Sequence, residues 1–218
     1  TKRYNLAIRR LTQTKADDIV QVYLNAFARE IDPHTSYLAP RTAKSFSESM
    51  NLSLEGIGAT LQSEDDETTI KSLVPGAPAE RSKKLHAGDK IIGVGQAKGE
   101  IEDVIGWRLE DIVDKIKGKK GTKVRLEIEP AKGGKSSIVT IVRDKVRIED
   151  QAAKLTVSKV DGETIGVIKV PSFYIGLTED VKKLLSDAEK KNIGALIIDL
   201  REDGGGALTE AVALSGLF

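Results

Sequence analysis

The 218-residue sequence contains no cysteine, which excludes a disulfide framework and any metal site built from thiolates. Aromatic residues are scarce, at 4% of the chain, and Trp107 is its single tryptophan. The net charge is +1, so the overall composition gives no electrostatic reason to expect nucleic acid or an anionic membrane as a partner. No run of 18 apolar residues occurs, and the sequence therefore predicts no membrane-spanning helix.

The two ends of the sequence indicate part of a longer protein. The chain begins with Thr1 rather than methionine, and no signal peptide is recognisable. It ends at Phe218 within a helical pattern. We therefore expect an excised portion of a protein whose cellular compartment the sequence leaves open.

Three stretches of the chain differ in character. Residues 1–50 are mostly polar, with apolar residues at helical spacing, and predict a helical segment. Residues 51–146 contain short β-type runs separated by Gly and Pro, one amphipathic helical pattern and one hairpin, which predict a small and mostly β unit. Residues 147–218 change character again.

The pattern of this last stretch predicts a strand, a helix and a second strand. The runs 164–170 and 193–200 are apolar and β-branched, and the second is continuous enough to predict burial on both faces. Between them Thr178 precedes an amphipathic pattern, and we expect it to be the helix N-cap. Such a unit predicts two parallel strands joined by a right-handed crossover.

Three consecutive glycines, Gly204 to Gly206, follow the second strand and precede a helical pattern. Open α/β sheets place their functional sites at this carboxyl end of a parallel strand. A structural turn that needs positive φ and a phosphate cradle both fit the residues. The structural turn is the commoner of the two.

Another glycine-containing stretch, "GIGATL" at 56–61, does not form a dinucleotide fingerprint, because Leu61 replaces the third glycine and β-type residues follow. Bare amides at Gly56 and Gly58 beside an open strand edge could hold the terminal carboxylate of a peptide. Ala59 would begin that strand, and the amphipathic helix would form the opposite wall of the groove through Leu109, Ile112 and Val113. A simple glycine turn that closes a barrel is the plainer alternative.

Other candidate sites are weaker. "GKKGTK" at 118–123 lacks the Gly-Lys-Ser/Thr end of a phosphate loop, and its lysines fit a solvated turn. His34 and His86 lie too far apart in sequence to suggest a metal site. Four consecutive acidic residues at 64–67 fit a solvated hairpin tip. Ser172 and Ser215 have no Gly-x-Ser-x-Gly context, so no nucleophile is predicted. We expect no metal, no cofactor and no nucleic acid.

The order of these elements resembles a PDZ domain of the bacterial protease type, since "PGAPA" at 75–79 is followed by "LHAGDKI" at 85–91. Four further segments resemble the tail-specific, or carboxy-terminal processing, serine proteases. They read "DPHTSYL", "SLEGIGATL", "VIGWRLEDIV" and "GGGALTEAVALSGLF". They follow one another in the family's order, and the resemblance extends over essentially the whole chain.

The resemblance implies an α+β, multidomain architecture. A helical N-terminal segment (1–50) would precede a PDZ domain (51–146), which is a small β-barrel or sandwich with two helices. An incomplete α/β protease domain with a βαβ unit (147–218) would follow. The implied function is that of a serine endopeptidase that grips the C-termini of proteins or peptides and cleaves with a Ser/Lys dyad lying beyond this chain. The alternative is a non-catalytic PDZ module that only binds peptides.

The resemblance also implies roles for particular residues and a cellular location. Peptide binding would fall to Gly56, Ile57, Gly58, Ala59, Leu61, Leu109, Ile112 and Val113. Gly204 or Gly205 would supply the oxyanion donor, although Asp203 stands where the family commonly has Asn. We expect this chain alone to be inactive. A periplasmic location, association with the inner membrane and an adaptor lipoprotein are further expectations from the resemblance.

Overall fold

The computed structural model of the chain describes residues 4, 8, 11–64, 66–160 and 162–218. These residues form two compact units, which divide between Ser49 and Met50. The predicted α+β class is confirmed by the helices and sheets below. The predicted domain boundaries after residues 50 and 146 stay predictions.

The first unit is helical, as its apolar spacing predicts. It contains α1 (Ala16–Ile31) and most of α2 (Pro40–Met50). The first turn of α1 is acidic, and the Asp18 carboxylate accepts the Lys15 N–H at 3.0 Å. The Gln21 side chain of α1 accepts hydrogen bonds from the Ala39 N–H and the Thr42 hydroxyl, which fixes the start of α2.

The first part of the larger unit consists of short strands and two helices. The strands are β1 (Ser53–Gly56), β2 (Ala59–Glu64), β3 (Glu67–Leu73), β4 (Lys90–Gln96), β5 (Glu102–Asp103), β6 (Lys123–Glu129), β7 (Ser137–Val142) and β8 (Asp144–Arg147). The helices are α3 (Pro78–Ser82) and α4 (Leu109–Ile116). Six of the strands form one sheet in the order β2-β3-β4-β6-β7, with β5 paired to β4. The core of this sheet consists of alternate strand residues together with the inner face of α4, among them Ile70, Ile91, Leu126 and Ile112.

Two pairings place the predicted glycine loop. β1 and β8 form an antiparallel ribbon in which Leu54 faces Val146. The hairpin of β6 and β7 is the one expected from their alternating residues. β2 stands at the end of the sheet order, so the loop between β1 and β2 opens onto a sheet edge.

The βαβ unit is confirmed. β10 (Glu163–Lys169) and β11 (Ala195–Asp199) are parallel and are connected through α5 (Leu177–Lys190). β9 (Lys154–Val160) pairs antiparallel with β10, and α6 (Leu208–Ser215) follows the glycine turn. The expectation that the second strand is buried on both faces was wrong, because Ile197 is 50% exposed. Only one face of β11 packs on the core, through Leu196 and Ile198.

Two absences hold for the described part of the chain. No helix there combines the length and the apolar character needed to cross a bilayer. No group of three or more metal-ligating side chains is found there either.

Candidate functional site

A groove of about 140 Å³ lies between the edge strand β2 and helix α4. Six residues singled out from the sequence line it, namely Gly56, Ile57, Gly58, Ala59, Leu61 and Val113. The remaining walls are mostly aliphatic and come from β1, β8 and the end of α4. The fold therefore brings the glycine loop, the strand edge and the helix to one place.

The backbone of the glycine loop directs its acceptors into the protein. The Ile57 carbonyl accepts the Ala79 N–H at 2.8 Å, and the Gly58 carbonyl accepts the Val74 N–H at 2.9 Å. Among the described residues, the N–H groups of Ile57 and Gly58 donate no hydrogen bond. Two adjacent unbonded N–H groups in a groove are suited to binding an anion.

Gly58 is required by its surroundings as well as by its backbone. Its φ is +74°, a value that side-chain-bearing residues rarely adopt. A Cβ placed there would lie 2.2 Å from the Cβ of Ala77 and 3.3 Å from a methyl group of Val146. A side chain at this position would therefore disturb both the loop and the β8 side of the groove.

The wall formed by α4 differs in part from the prediction. Val113 lines the groove, but Ile112 is 1% exposed and belongs to the sheet core. Leu109, one turn earlier, is not among the residues that line the groove. Ile116, one turn after Ile112, lines it instead. Helical periodicity identified the buried stripe of α4, but it did not show which edge of that stripe faces the groove.

Two cationic residues, Lys117 and Arg147, also line the groove and were not predicted from the sequence. Arg147 forms ion pairs with Asp180 and with Glu149, the latter at 3.1 Å. Partial burial alone would lower the pKa of Arg147, but the hydrogen bond with Asp180 raises it above its ordinary value. Two cationic side chains thus stand on otherwise apolar walls, and that of Arg147 is held by two carboxylates.

The second predicted site, the glycine turn, follows β11. The Phe173 N–H donates to the Gly205 carbonyl at 2.9 Å, and the Ala207 N–H donates to the Phe173 carbonyl at 2.7 Å. A Cβ on Gly206 would lie 2.4 Å from the Phe173 carbonyl oxygen. The third glycine is therefore explained by this close approach of two backbones.

The acidic residues before the glycines do not face the turn as free charges. One carboxylate oxygen of Asp203 accepts the Gly205 N–H at 2.6 Å, and the other is buried without a hydrogen-bond partner among the described residues. Glu202 forms an ion pair with Lys169 at 2.5 Å. The Gly204 N–H donates no hydrogen bond within the described residues. Of the two predicted donors, Gly204 is open and Gly205 is occupied.

The weaker candidates make local contacts. The ring of His34 contacts Asp32 at 3.0 Å, and the ring of His86 lies 3.6 Å from Asp89. Ser215 donates its hydroxyl hydrogen to the Ala211 carbonyl within α6. The acidic hairpin tip includes residue 65, which lies outside the described residues.

Three family models match successive parts of the chain. They describe a tail specific protease N-terminal domain at residues 1–41, a PDZ domain at 45–129 and peptidase family S41 at 164–218. The tail-specific protease of Haemophilus influenzae is 85% identical over 218 residues, which is 100% of this chain and 31% of that protein. The carboxy-terminal processing protease CtpA of Bacillus subtilis is 32% identical over 207 residues, covering 94% of this chain and 42% of that protein.

A solved structure is also similar. It is the PDZ domain of a carboxy-terminal protease from Vibrio cholerae in complex with a peptide. It is 59% identical and covers 44% of this chain and 98% of its own, with a TM-score of 0.42. The chain spans 31% and 42% of the length of the two curated relatives above.

Proposed function

Because the chain belongs to the tail-specific protease family, we propose that it captures the carboxy-terminal tail of a substrate protein for cleavage by a serine endopeptidase. The groove between β2 and α4 would hold the tail. The glycine turn after β11 would form part of the catalytic centre. The Ser/Lys dyad of that centre would be supplied by the rest of the whole protein.

The unbonded N–H groups of Ile57 and Gly58 are the observation that carries this proposal. A terminal carboxylate is the group of a peptide that two adjacent N–H donors bind best, since hydrogen bonds to charged groups are the stronger ones. The edge of β2 would then pair with the peptide main chain, and the aliphatic walls would receive its alternate side chains.

The glycine turn supports the catalytic half of the proposal. An oxyanion that develops on the scissile carbonyl needs preorganised N–H donors, and losing one such donor typically costs about 2.7–4 kcal/mol. Gly204 is exposed and its N–H is open, so we assign it as the donor in preference to Gly205. The Gly205 N–H could serve only after the Asp203 carboxylate has moved away.

Tail capture would also aid cleavage through proximity. A tail held in the groove raises the effective concentration of the scissile bond at the catalytic centre, to the order of millimolar for a short flexible connection. The catalytic centre itself would then need to bind the scissile segment only weakly for cleavage to occur.

The groove is tested by titrating the 218-residue chain with an apolar-tailed peptide as its free acid and as its carboxamide. Loss of a charge-assisted hydrogen bond costs roughly 1.5–3 kcal/mol, so we expect the acid to bind at least about tenfold more tightly. Equal dissociation constants for the two peptides would contradict the proposed carboxylate site.

A non-catalytic peptide-binding module remains the second candidate, and the Asp203 carboxylate on the Gly205 N–H is the observation that favours it. The two candidates differ in the whole protein. Incubation with a protein that carries an apolar tail would yield fragments if the protein is a peptidase. A stable complex without cleavage would identify a binding module.

The proposal also includes the cellular location of the whole protein and one partner. We place the whole protein in the periplasm, at the inner membrane, with an adaptor lipoprotein as a partner, and this placement depends on the family alone. Fractionation of cells and co-purification from detergent-treated membranes would test it. Recovery in the cytoplasmic fraction would contradict it.

A further inference from the structure

We propose that Arg143, a residue behind the groove, is a specificity-determining residue that favours tails with a free carboxylate. Its guanidinium is a buried positive charge without an acidic partner, placed at the end of the helix that lines the groove. The inference rests on the proposed function, because it assumes that a carboxylate binds at the glycine loop.

Arg143 is 3% exposed, and all its hydrogen-bond acceptors are neutral. They are the carbonyls of Lys115, Ile116 and Lys123 and the side chains of Gln96 and Thr122, at 2.7–3.2 Å. Within the described residues it forms no ion pair. Burial lowers the pKa of Arg143, but a guanidinium still keeps its proton at neutral pH. A net positive charge is therefore fixed inside this wall.

The positive charge of Arg143 lies at the C-terminus of α4, whose partial negative charge would otherwise repel an anion in the groove. Lys115 and Ile116 belong to the last turn of α4, and their carbonyls carry the partial negative charge of a helix C-terminus. The Ile116 side chain lines the groove, so this end of the helix faces the proposed carboxylate site. By binding both carbonyls, the guanidinium of Arg143 cancels their negative potential and leaves a positive one.

The backbone connects this wall to the glycine loop. The Gly118 N–H donates to the Glu55 carbonyl at 3.2 Å, immediately before Gly56. A Cβ on Gly118 would lie 3.0 Å from the guanidinium carbon of Arg143, so the chain that follows α4 passes directly over the buried charge.

Two other charges near the loop, those of Arg147 and Glu55, are less effective because water screens them. Arg147 is exposed and paired with Asp180 and Glu149. The Glu55 carboxylate is exposed and accepts the Lys120 N–H at 3.3 Å. A buried charge is screened much less than such surface charges. Arg143 therefore contributes the more persistent potential.

The test compares two variants of the 218-residue chain, Arg143→Gln and Arg143→Lys. Both lose the guanidinium fork, but only the first loses the charge. For each we measure dissociation constants of the apolar-tailed peptide as free acid and as carboxamide, after circular dichroism has shown a native fold. The quantity compared is the ratio of carboxamide to free-acid dissociation constants.

We expect the ratio to fall about fivefold to tenfold in Arg143→Gln, because the free acid loses the attraction of a unit charge while carboxamide binding stays nearly constant. In Arg143→Lys the ratio should stay within about twofold of the wild-type value. An unchanged ratio in Arg143→Gln, or an equal loss of affinity for both peptides, would overturn the inference.

If Arg143→Gln does not fold, the wild-type ratio is measured at low and at high salt instead: a ratio that persists at high salt supports a buried charge, and a ratio that collapses would overturn the inference. A wild-type ratio of one would instead refute the proposed carboxylate site and leave Arg143 with no carboxylate to favour. The failures of the two proposals are therefore distinguishable.

Discussion

At the scale of single residues, Gly58 and Gly76 form a matched pair. Their φ values are +74° and +73°, but a Cβ on Gly58 would meet Ala77 at 2.2 Å, whereas a Cβ on Gly76 would meet nothing within 4 Å. Substitution at either position incurs the cost of the left-handed backbone. Only substitution at Gly58 adds a steric clash in the groove.

We predict that Gly76→Ala lowers the free energy of unfolding by about 1 kcal/mol and that Gly58→Ala lowers it by about 2–4 kcal/mol. Urea unfolding of both variants measures the difference. Equal losses would show that the neighbours of Gly58 yield without cost, in contradiction to the packing described.

The two glycine stretches show what residue types alone could predict. "GIGA" beside a β-type run indicated a loop with exposed amides, because glycine permits that backbone and the strand edge follows directly. The hydrogen bond from Gly205 to Asp203 could not be read in the same way. It depends on the direction of one side chain, and the sequence does not encode that direction locally.

At the scale of secondary-structure elements, the start of α5 is capped by a distant residue. Glu210 of α6 accepts the Gly176 N–H, the Thr178 N–H and the Thr178 hydroxyl at 2.7–3.0 Å. Burial alone would raise the pKa of Glu210, but these hydrogen bonds hold it below its ordinary value. The sequence predicted Thr178 as the N-cap, whereas the helix begins at Leu177 after Gly176.

We predict that Glu210→Gln lowers the free energy of unfolding by about 1 kcal/mol at pH 7, since a carboxylate is lost from a helix N-terminus. Because the folded-state pKa is below the unfolded one, this difference is present above about pH 4.3 and disappears as the pH falls through the folded pKa. Urea unfolding of both proteins between pH 3 and pH 7 measures it.

The matched control is Glu179→Gln, which removes an exposed carboxylate from the first turn of the same helix. It should cost no more than about 0.5 kcal/mol. A difference between Glu210→Gln and wild type that stays constant down to pH 3 would contradict the role assigned to Glu210.

The helices and strands themselves were largely predictable from the sequence. The elements with which each of them pairs or packs were less predictable. Local periodicity was sufficient to predict β10, α5 and β11. The preference for right-handed crossovers was sufficient to predict that the two strands are parallel. The antiparallel pairing of β9 with β10 was not predicted. The contact between Glu210 and α5 joins residues more than 30 positions apart, and nothing local in either segment specifies it.

At the scale of the whole larger unit, one hydrogen-bond network connects the groove to the βαβ unit. Arg147 lines the groove and pairs with Asp180 of α5. The buried Tyr174 donates to the same Asp180 carboxylate at 2.7 Å and accepts the Ala153 N–H at 3.1 Å. Loss of the tyrosine hydroxyl would leave that N–H without its partner.

We predict that Tyr174→Phe lowers the free energy of unfolding by about 1–3 kcal/mol at neutral pH. Burial raises the pKa of Tyr174 to about 12, against about 10 in the unfolded chain. The contribution of the hydroxyl is therefore complete below pH 10 and is lost as the pH rises towards 12. Urea unfolding of wild type and variant from pH 8 to pH 11.5 should show the two stabilities converging. Divergence above pH 10 would contradict the prediction.

At this scale the family was recognisable from the sequence, and the 85% identical relative confirms it. The recognition was possible because its segments are backbone-dictated turns and packed strands in a fixed order. The charges of the groove, on Lys117 and Arg147, were not predicted, because only the folded chain brings the residue after α4 next to β8.

The amide NMR signals of Ile57 and Gly58 provide the most direct test of the tail-binding groove. The 15N-labelled chain is titrated with the apolar-tailed peptide as free acid and as carboxamide. Hydrogen bonds to a carboxylate move amide protons downfield, so we predict large downfield shifts of both signals with the free acid and small ones with the carboxamide. Unmoved signals at Ile57 and Gly58, while other groove residues respond to the free acid, would contradict the account.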